Sequence, residues 1–432
     1  MVRLDELSAG EAAARLARRE IRAEDLVRAC LDRIAEREPE VHAFAALDAD
    51  AALAQARALD AGPIRGLLHG LPIGVKDLFD TAELPTTYGS AIFAGHRPAL
   101  DAAAVALCRE AGAMVVGKTV STEFAYFTPG PTCNPHALDH TPGGSSSGSA
   151  AAVADHMLPL ALGSQTAGSI IRPAAFCGVV GYKASLGRVP KGGVLALSDT
   201  LDALGGFGRS VADAALLGAV LTGDARLAAL PDDMPAPRIG LAPTPEGGLI
   251  DADTHRALDR ACAVLAPHAA AIREVSWPAD LPDLVALQKA VMAFEMAHAL
   301  SALRLRHRER IGERLCTLFD EGMAISGEHH AANLARTHAA RRRIDTLFER
   351  FDVLLAPSAI GEAPAGLDAT GDPLFCRGWT LLGLPCVHLP FATGSHGLPI
   401  GLQLVGRNGH DHRLLAAARG IHARLLRDRT DD

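Results

Sequence analysis

Three segments hold the residue types that perform nucleophilic chemistry. Lys76 ends the apolar run Leu71-Pro72-Ile73-Gly74-Val75, so an ammonium group falls at the end of a predicted buried strand. Burial disfavours the charged form, and a lysine without its extra proton is a competent general base. The alternative is a strand-end lysine whose stem covers apolar surface while its head reaches water. Only five lysines occur (Lys76, Lys118, Lys183, Lys191 and Lys289), with arginine supplying the other 37 positive charges, so each lysine is more informative than usual. The second segment is Gly143-Gly144-Ser145-Ser146-Ser147-Gly148-Ser149, followed by Ala150-Ala151-Ala152. Such a loop lets backbone approach a ligand and presents hydroxyls at a helix start; a flexible linker is the other reading. It lacks the lysine of a phosphate-binding loop. The third segment is Gly163-Ser164-Gln165-Thr166-Ala167-Gly168-Ser169-Ile170-Ile171-Arg172-Pro173. Small residues before Ser169 allow successive N–H groups to converge on one point, as an oxyanion hole requires. A tight core-entry loop with a capping serine remains open beside it.

The elements that must position these residues alternate in type. Ser8 with Glu11 forms a capping-box pattern before a first helix, and Ala23 to Arg37 reads as a second. Leu71 to Val75 suits a buried strand, Asp101 to Gly112 a helix, and Ala113 to Gly117 the next strand. Ser210 to Leu221, Ala252 to Ala266 and Leu284 to Arg350 read as helices, and Pro231 to Pro237 is the best linker candidate. Asp352 to Ala356, Cys386 to Phe391 and Pro399 to Val405 are strand-like, and a last helix covers roughly Asp411 to Leu426. This alternation predicts an α/β fold in which a mixed twisted central sheet is covered by helices on both sides.

Composition narrows the function classes. With 432 residues and nearly half of them hydrophobic, a large core is expected. The balance of 42 basic against 50 acidic residues, with no basic run, argues against nucleic-acid binding. The longest stretch free of charge, between Arg377 and Arg407, is broken by Pro385, Pro390 and Pro399, so no membrane helix is expected. The first 40 residues hold no apolar block of signal-peptide type. The eight cysteines are scattered without a CxxC, which predicts reduced thiols and a cytoplasmic location. Cys177 and Cys386 lie in apolar strings and read as core residues. The closest histidine clusters, His329-His330 and His410-x-His412, lack a third ligand at recognisable spacing, so no metal is expected.

Taken together, the three segments resemble the amidase signature family. The matching pieces are G-L-P-I-G-V-K-D ending at Asp77, T-P-G-G-S-S-S-G-S-A-A-A-V-A over Thr141 to Ala154, and G-S-Q-T-A-G-S-I-I-R-P-A over Gly163 to Ala174. The similarity extends to G-K-T-V-S-T-E-F-A around Thr119, to D-V-L-L-A-P at Asp352 and to G-L-P-I-G-L-Q-L-V-G ending at Gly406, and so covers nearly the whole chain. It is closest to the malonamidase-type branch. The resemblance implies one amidase domain over 1–432, with a signature core at about 65–220, a helical layer at about 250–350, and C-terminal strands and a helix at 351–426.

The resemblance also implies roles. Ser169 matches a nucleophile that forms an acyl-enzyme. Ser145, 24 positions earlier, matches a bridging serine reached through a cis Gly144–Ser145 bond, and Lys76 matches the base. The backbone N–H groups of Thr166, Ala167, Gly168 and Ser169 match the oxyanion hole. Arg172, Gln165 and Ser146 are the substrate-binding candidates, with Arg172 either holding a substrate carboxylate or bracing the loop. Many members carry Asp at the position of Gln165 and Gly at that of Ala167. The expected activity is hydrolysis of a small carboxamide without cofactor or metal, by a chain that meets no nucleic acid or membrane and pairs at most with a second copy of itself. Two alternatives stand beside it. One is an amidase subunit of a multi-subunit amidotransferase or carboxybiuret- or allophanate-type hydrolase. The other is an α/β-hydrolase-type esterase using Ser146, because Gly144 to Gly148 satisfies G-x-S-x-G; that elbow needs an apolar strand before it, and Cys133 to His140 is polar and proline-broken.

Overall fold

A computed structural model describes residues 3–231, 235–242 and 249–428. Its eleven strands are β1 (Phe44–Leu47), β2 (Pro72–Lys76), β3 (Met114–Thr119), β4 (Leu160–Gln165), β5 (Val180–Lys183), β6 (Ala203–Gly208), β7 (Arg238–Leu241), β8 (Ala271–Glu274), β9 (Val353–Pro357), β10 (Cys386–Thr393) and β11 (Pro399–Val405). They form one sheet in the order β1-β3-β2-β4-β6-β5-β10-β11-β9-β7-β8. In β2, β3, β4, β5, β6 and β9 every residue is buried, so helices cover both faces there and the strands read as apolar runs rather than alternating ones. The sheet is mixed: β2 runs parallel to both β3 and β4, whereas β4, β6, β5, β10, β11 and β9 follow one another antiparallel.

Parallel pairing of β2 with β4 places their C-terminal ends side by side, and the functional segments leave the sheet at that edge. The helix Ser147–Ala154 follows the Gly/Ser loop and is buried from Ser147 to Val153. Its small residues permit backbone-to-backbone approach. A Cβ at Gly148 would lie 2.1 Å from Ala43 O and 2.4 Å from Val120 N. The capping box at Ser210 is complete, with Asp213 returning the bond, and the Ser8 hydroxyl accepts from Glu11 N at 3.1 Å.

The predicted helix from Leu284 to Arg350 is a series of shorter ones: Leu284–Ala299, Ser301–Arg306, Glu313–Ala324 and Gly327–Ile344. The breaks fall at sequence signals, since Gly312 and Ser326 act as N-caps and Ser326 Oγ accepts from His329 N. Several strands carry weak sequence signals because they are short or glycine-rich; β6 reads Ala-Leu-Gly-Gly-Phe-Gly. Of the linker expected at 231–237, residues 232–234 lie outside the described residues; β7 follows at once and pairs with β9 in the same sheet. Among the described residues no helix is long and apolar enough to cross a membrane.

Gly148→Ala is expected to lower stability by about 1–3 kcal/mol through overpacking against fixed backbone. A urea-unfolding midpoint unchanged from the parent protein would contradict this packing.

Candidate active site

Lys76 is wholly buried at the end of β2. Its Nζ donates to Ser145 Oγ at 2.7 Å and to Ser164 Oγ, on neighbouring β4, at 2.9 Å. Desolvation pulls its pKa from the ordinary lysine value down to about 7, with the Asp202 carboxylate opposing that shift and Arg172 adding to it. Near neutrality a large fraction of this amine is therefore unprotonated. Ser164 was not marked by the sequence, because its importance arises only from the β2–β4 pairing that sets it against Lys76.

The Gly144–Ser145 peptide bond is cis. The loop around it is held from two sides: Arg172 Nη2 donates to Gly144 O at 2.6 Å, and Thr122 N donates to Ser145 O at 3.2 Å. Ser146 is fully buried and its hydroxyl donates to Ser164 O at 3.4 Å, so it joins the loop to β4 and does not line the cleft. No strand runs directly into it, since β3 ends at Thr119 and none lies between there and Ser146, which removes the strand–turn–helix context of the esterase alternative.

After β4 the chain turns through Thr166 to Ile170 into the helix Ile171–Cys177. Gln165 organises this turn. Its Oε1 accepts from Ile170 N at 2.9 Å and Ile171 N at 3.0 Å, while its Nε2 donates to Thr380 Oγ1 at 2.9 Å. The carboxamide expected to meet substrate is thus directed inward. In contrast, the N–H groups of Thr166, Ala167, Gly168 and Ser169 donate to no group among the described residues. The carbonyls of that turn are occupied from behind: Thr380 Oγ1 donates to Ala167 O at 2.7 Å and Gln288 Nε2 to Thr166 O at 3.0 Å. A Cβ at Gly168 would fall 2.6 Å from Pro373 Cβ, so only glycine lets the helix Leu374–Leu381 approach this closely. Sequence reasoning missed Gln288 and Thr380, which lie on distant helices and match no motif.

Ser145, Thr166, Ala167, Ser169 and Arg172 share a narrow cleft closed by Ala125, Tyr126, Phe127, Met292 and Met296. The arrangement provides a hydroxyl, a second hydroxyl bonded to a deprotonatable amine, and four unengaged N–H groups on one turn. Those are the parts needed for attack on a carbonyl with stabilisation of the resulting oxyanion. Arg172 lines the same cleft, 2% exposed, with Nη1 donating to Gly371 O at 2.6 Å; burial lowers its pKa to about 10. It both braces the loop and faces the cleft. Cys177 and Cys386 are buried, and burial raises both thiols, Cys386 to about 11, which suits core packing. His330 stacks on Phe294 with ring centroids 4.0 Å apart, and His410 and His412 are 6.3 Å apart.

The amidase family model matches residues 25–415. The chain belongs to the amidase signature family. Among its relatives is a glutamyl-tRNA(Gln) amidotransferase subunit of Acidothermus cellulolyticus, 35% identical over 98% of this chain and 95% of that one. The corresponding subunit of Thermus thermophilus is 36% identical over 95% of each. Among solved structures, an amidase superposes with a TM-score of 0.88 at 32% identity, covering 97% of this chain and all of the other. A chain of a vestigial complex linked to the origins of an s-triazine catabolic enzyme gives 0.89 at 27% identity, covering 98% of both. Family membership makes this chain an amidase signature enzyme acting on C–N amide bonds.

The relatives correct one expectation. A chain working only on a small amide, away from nucleic acid and paired at most with itself, does not fit relatives named as one subunit of an amidotransferase whose name contains a tRNA. The physical reason is that basic runs report phosphate contacts made by the chain itself. They carry no record of whether a chain works as one subunit of an assembly.

Gln165→Leu would leave the N–H groups of Ile170 and Ile171 unpaired, and a loss of about 2–4 kcal/mol in unfolding free energy is expected. Equilibrium urea unfolding checks this; an unaltered midpoint would remove Gln165 from its organising role.

Proposed function

We propose that this chain is the amide-cleaving subunit of a multi-subunit amidotransferase-type assembly, releasing nitrogen from a carboxamide donor through an acyl-enzyme on Ser169. The observation that carries the chemistry is the 2.7 Å bond from the buried Lys76 amine to Ser145 Oγ. In this reading neutral Lys76 draws a proton through Ser145 as Ser169 Oγ attacks the amide carbon. The N–H groups of Thr166 to Ser169 receive the developing oxyanion. The proton then returns through Ser145 to the departing nitrogen, and the C–N bond breaks. Water then attacks the ester carbon, releasing the carboxylic acid and restoring the Ser169 hydroxyl. The eight cysteines, all free, agree with work in the cytoplasm. The partner-dependent part is supported by the names of the relatives above 30% identity.

A second reading is hydrolysis by the chain alone, favoured by the amidase structure at 32% identity. Both readings use the same site, so one assay separates them. Ammonia release is measured from the isolated chain and from the chain with the remaining subunits of an amidotransferase. Partner dependence predicts a rise of at least about tenfold in the assembly. Full turnover alone, with nothing gained from partners, would favour the second reading.

Lys76→Ala and Ser169→Ala are each expected to reduce ammonia release by about a thousandfold or more. Near parental turnover in either variant would end the assignment. The pH dependence has a definite sign. Protonated Lys76 accepts no proton, so kcat/KM should fall about tenfold per pH unit below the lysine's pKa of about 7 and level off above it. A profile flat from pH 5 to about 8 would contradict lysine as the base.

A further inference from the structure

We propose that residues 123–128 form a gate over Ser169, latched shut by Arg314, that must swing outward before an amide can reach the serine. This rests on the amide-cleaving reading of the cleft. The cleft has a volume of about 20 Å³, on the scale of a single water molecule. Even a small carboxamide is larger than that, and sites for small ligands usually measure roughly 300 Å³ or more. An amide therefore has no room against Ser169 while Ala125, Tyr126, Phe127, Met292 and Met296 close the space around it. One of these walls has to move.

The methionine wall is rigid. Met292 and Met296 lie on the helix Leu284–Ala299, which packs so closely on Glu313–Ala324 that a Cβ at Gly322 would stand 2.1 Å from Ala293 O. Residues 123–128 are built differently. Phe124 (φ 46°) and Ala125 (φ 53°) are consecutive non-glycine residues in the left-handed region, a strained pairing that rotation of the segment can relieve. Phe124 is the fixed end, its side chain buried 6.1 Å from the Phe93 ring and its N–H donating to Tyr88 O at 2.8 Å. The segment closes on itself through Glu123 N, which donates to Thr128 O at 3.1 Å. Among the described residues, one hydrogen bond reaches 125–128 from outside the segment, from Arg314 Nη1 to Phe127 O at 2.8 Å. A second tie lies at the base, where Glu123 Oε2 accepts from Gly312 N at 2.9 Å. Both ties end at the start of Glu313–Ala324, so the helix that packs on the methionine wall also holds the gate against it. Arg314 is exposed, so water can take its place at Phe127 O. The Phe127 ring also stands 5.5 Å from Arg172 Cζ, a contact of modest strength.

The test is amide hydrogen exchange read by mass spectrometry, which needs no turnover. Peptides covering 122–130 and 165–170 are compared between the parent protein and Arg314→Ala. Removing one net hydrogen bond from the closed state predicts exchange about two- to tenfold faster in both peptides, because opening also uncovers the N–H groups of Thr166 to Ser169. Arg314→Lys, which keeps a donor, should fall between the two proteins. Arg308→Ala removes another exposed arginine of the same region, one bonded to Asp320 Oδ2 at 2.6 Å and not to the gate, and should leave both peptides unchanged. Exchange unaltered by Arg314→Ala in either peptide, or raised to the same extent by Arg308→Ala, would overturn the proposal. Ammonia release by the parent chain, alone and with partner subunits, reports separately on the amide-cleaving reading. A silent chain whose exchange responds to Arg314→Ala keeps the gate and loses the chemistry; an active chain whose exchange does not respond keeps the chemistry and loses the gate.

Discussion

The Lys76 amine sits wholly inside the protein with two hydroxyl oxygens within 3 Å, Ser145 Oγ and Ser164 Oγ. A protonated amine in that position lacks hydration and has no carboxylate in contact, while an unprotonated one is well accommodated. The surrounding architecture follows from keeping that balance. A strand buried on both faces delivers the lysine, a parallel neighbour supplies one hydroxyl, and a Gly/Ser loop locked by Arg172 and Thr122 supplies the other. Asp202 moderates the shift from a distance, tied to Thr166 Oγ1 at 2.6 Å and to the N–H groups of Leu197 and Ser198.

Much of this was legible before any coordinates. The apolar run before Lys76, the small-residue loop and the turn at Ser169 each carry a local signal, and the structure gathers Lys76, Ser145, Ser169 and the N–H groups from Thr166 onward into one region. The α/β class was also readable, because buried parallel strands have unbroken apolar sequences. Less was readable where a role depends on what lies opposite. Gln165 and Ser146 stand inside the motif, but their side chains turn to Thr380 and to Ser164 O. Ser164 looks like any strand serine until β2 lies beside it. Gln288 and Thr380 belong to helices with no motif at all, and the helical layer itself divides at Gly312 and Ser326, where one long helix was expected.

The partner question was illegible for a different reason. Charge counting reports the surface of one chain, whereas the relatives are defined as parts of an assembly. The catalytic segments are local and compact, so they look alike in a free-standing enzyme and in one member of a complex. The difference lies in surfaces that need no special residue type, which is why three spaced motifs identify the chemistry far better than its context.

The turn that presents Ser169 is supported by Gln288, 122 residues beyond Thr166, and by Thr380, 213 residues beyond Ala167. During synthesis the motif segments leave the ribosome long before either brace has been made. At about 5–20 residues per second the delay is on the order of ten seconds or more. A nascent chain at that stage carries Lys76, Ser145 and Ser169 without the side chains that hold the carbonyls of the turn. The turn is fully braced only once the C-terminal part has been made.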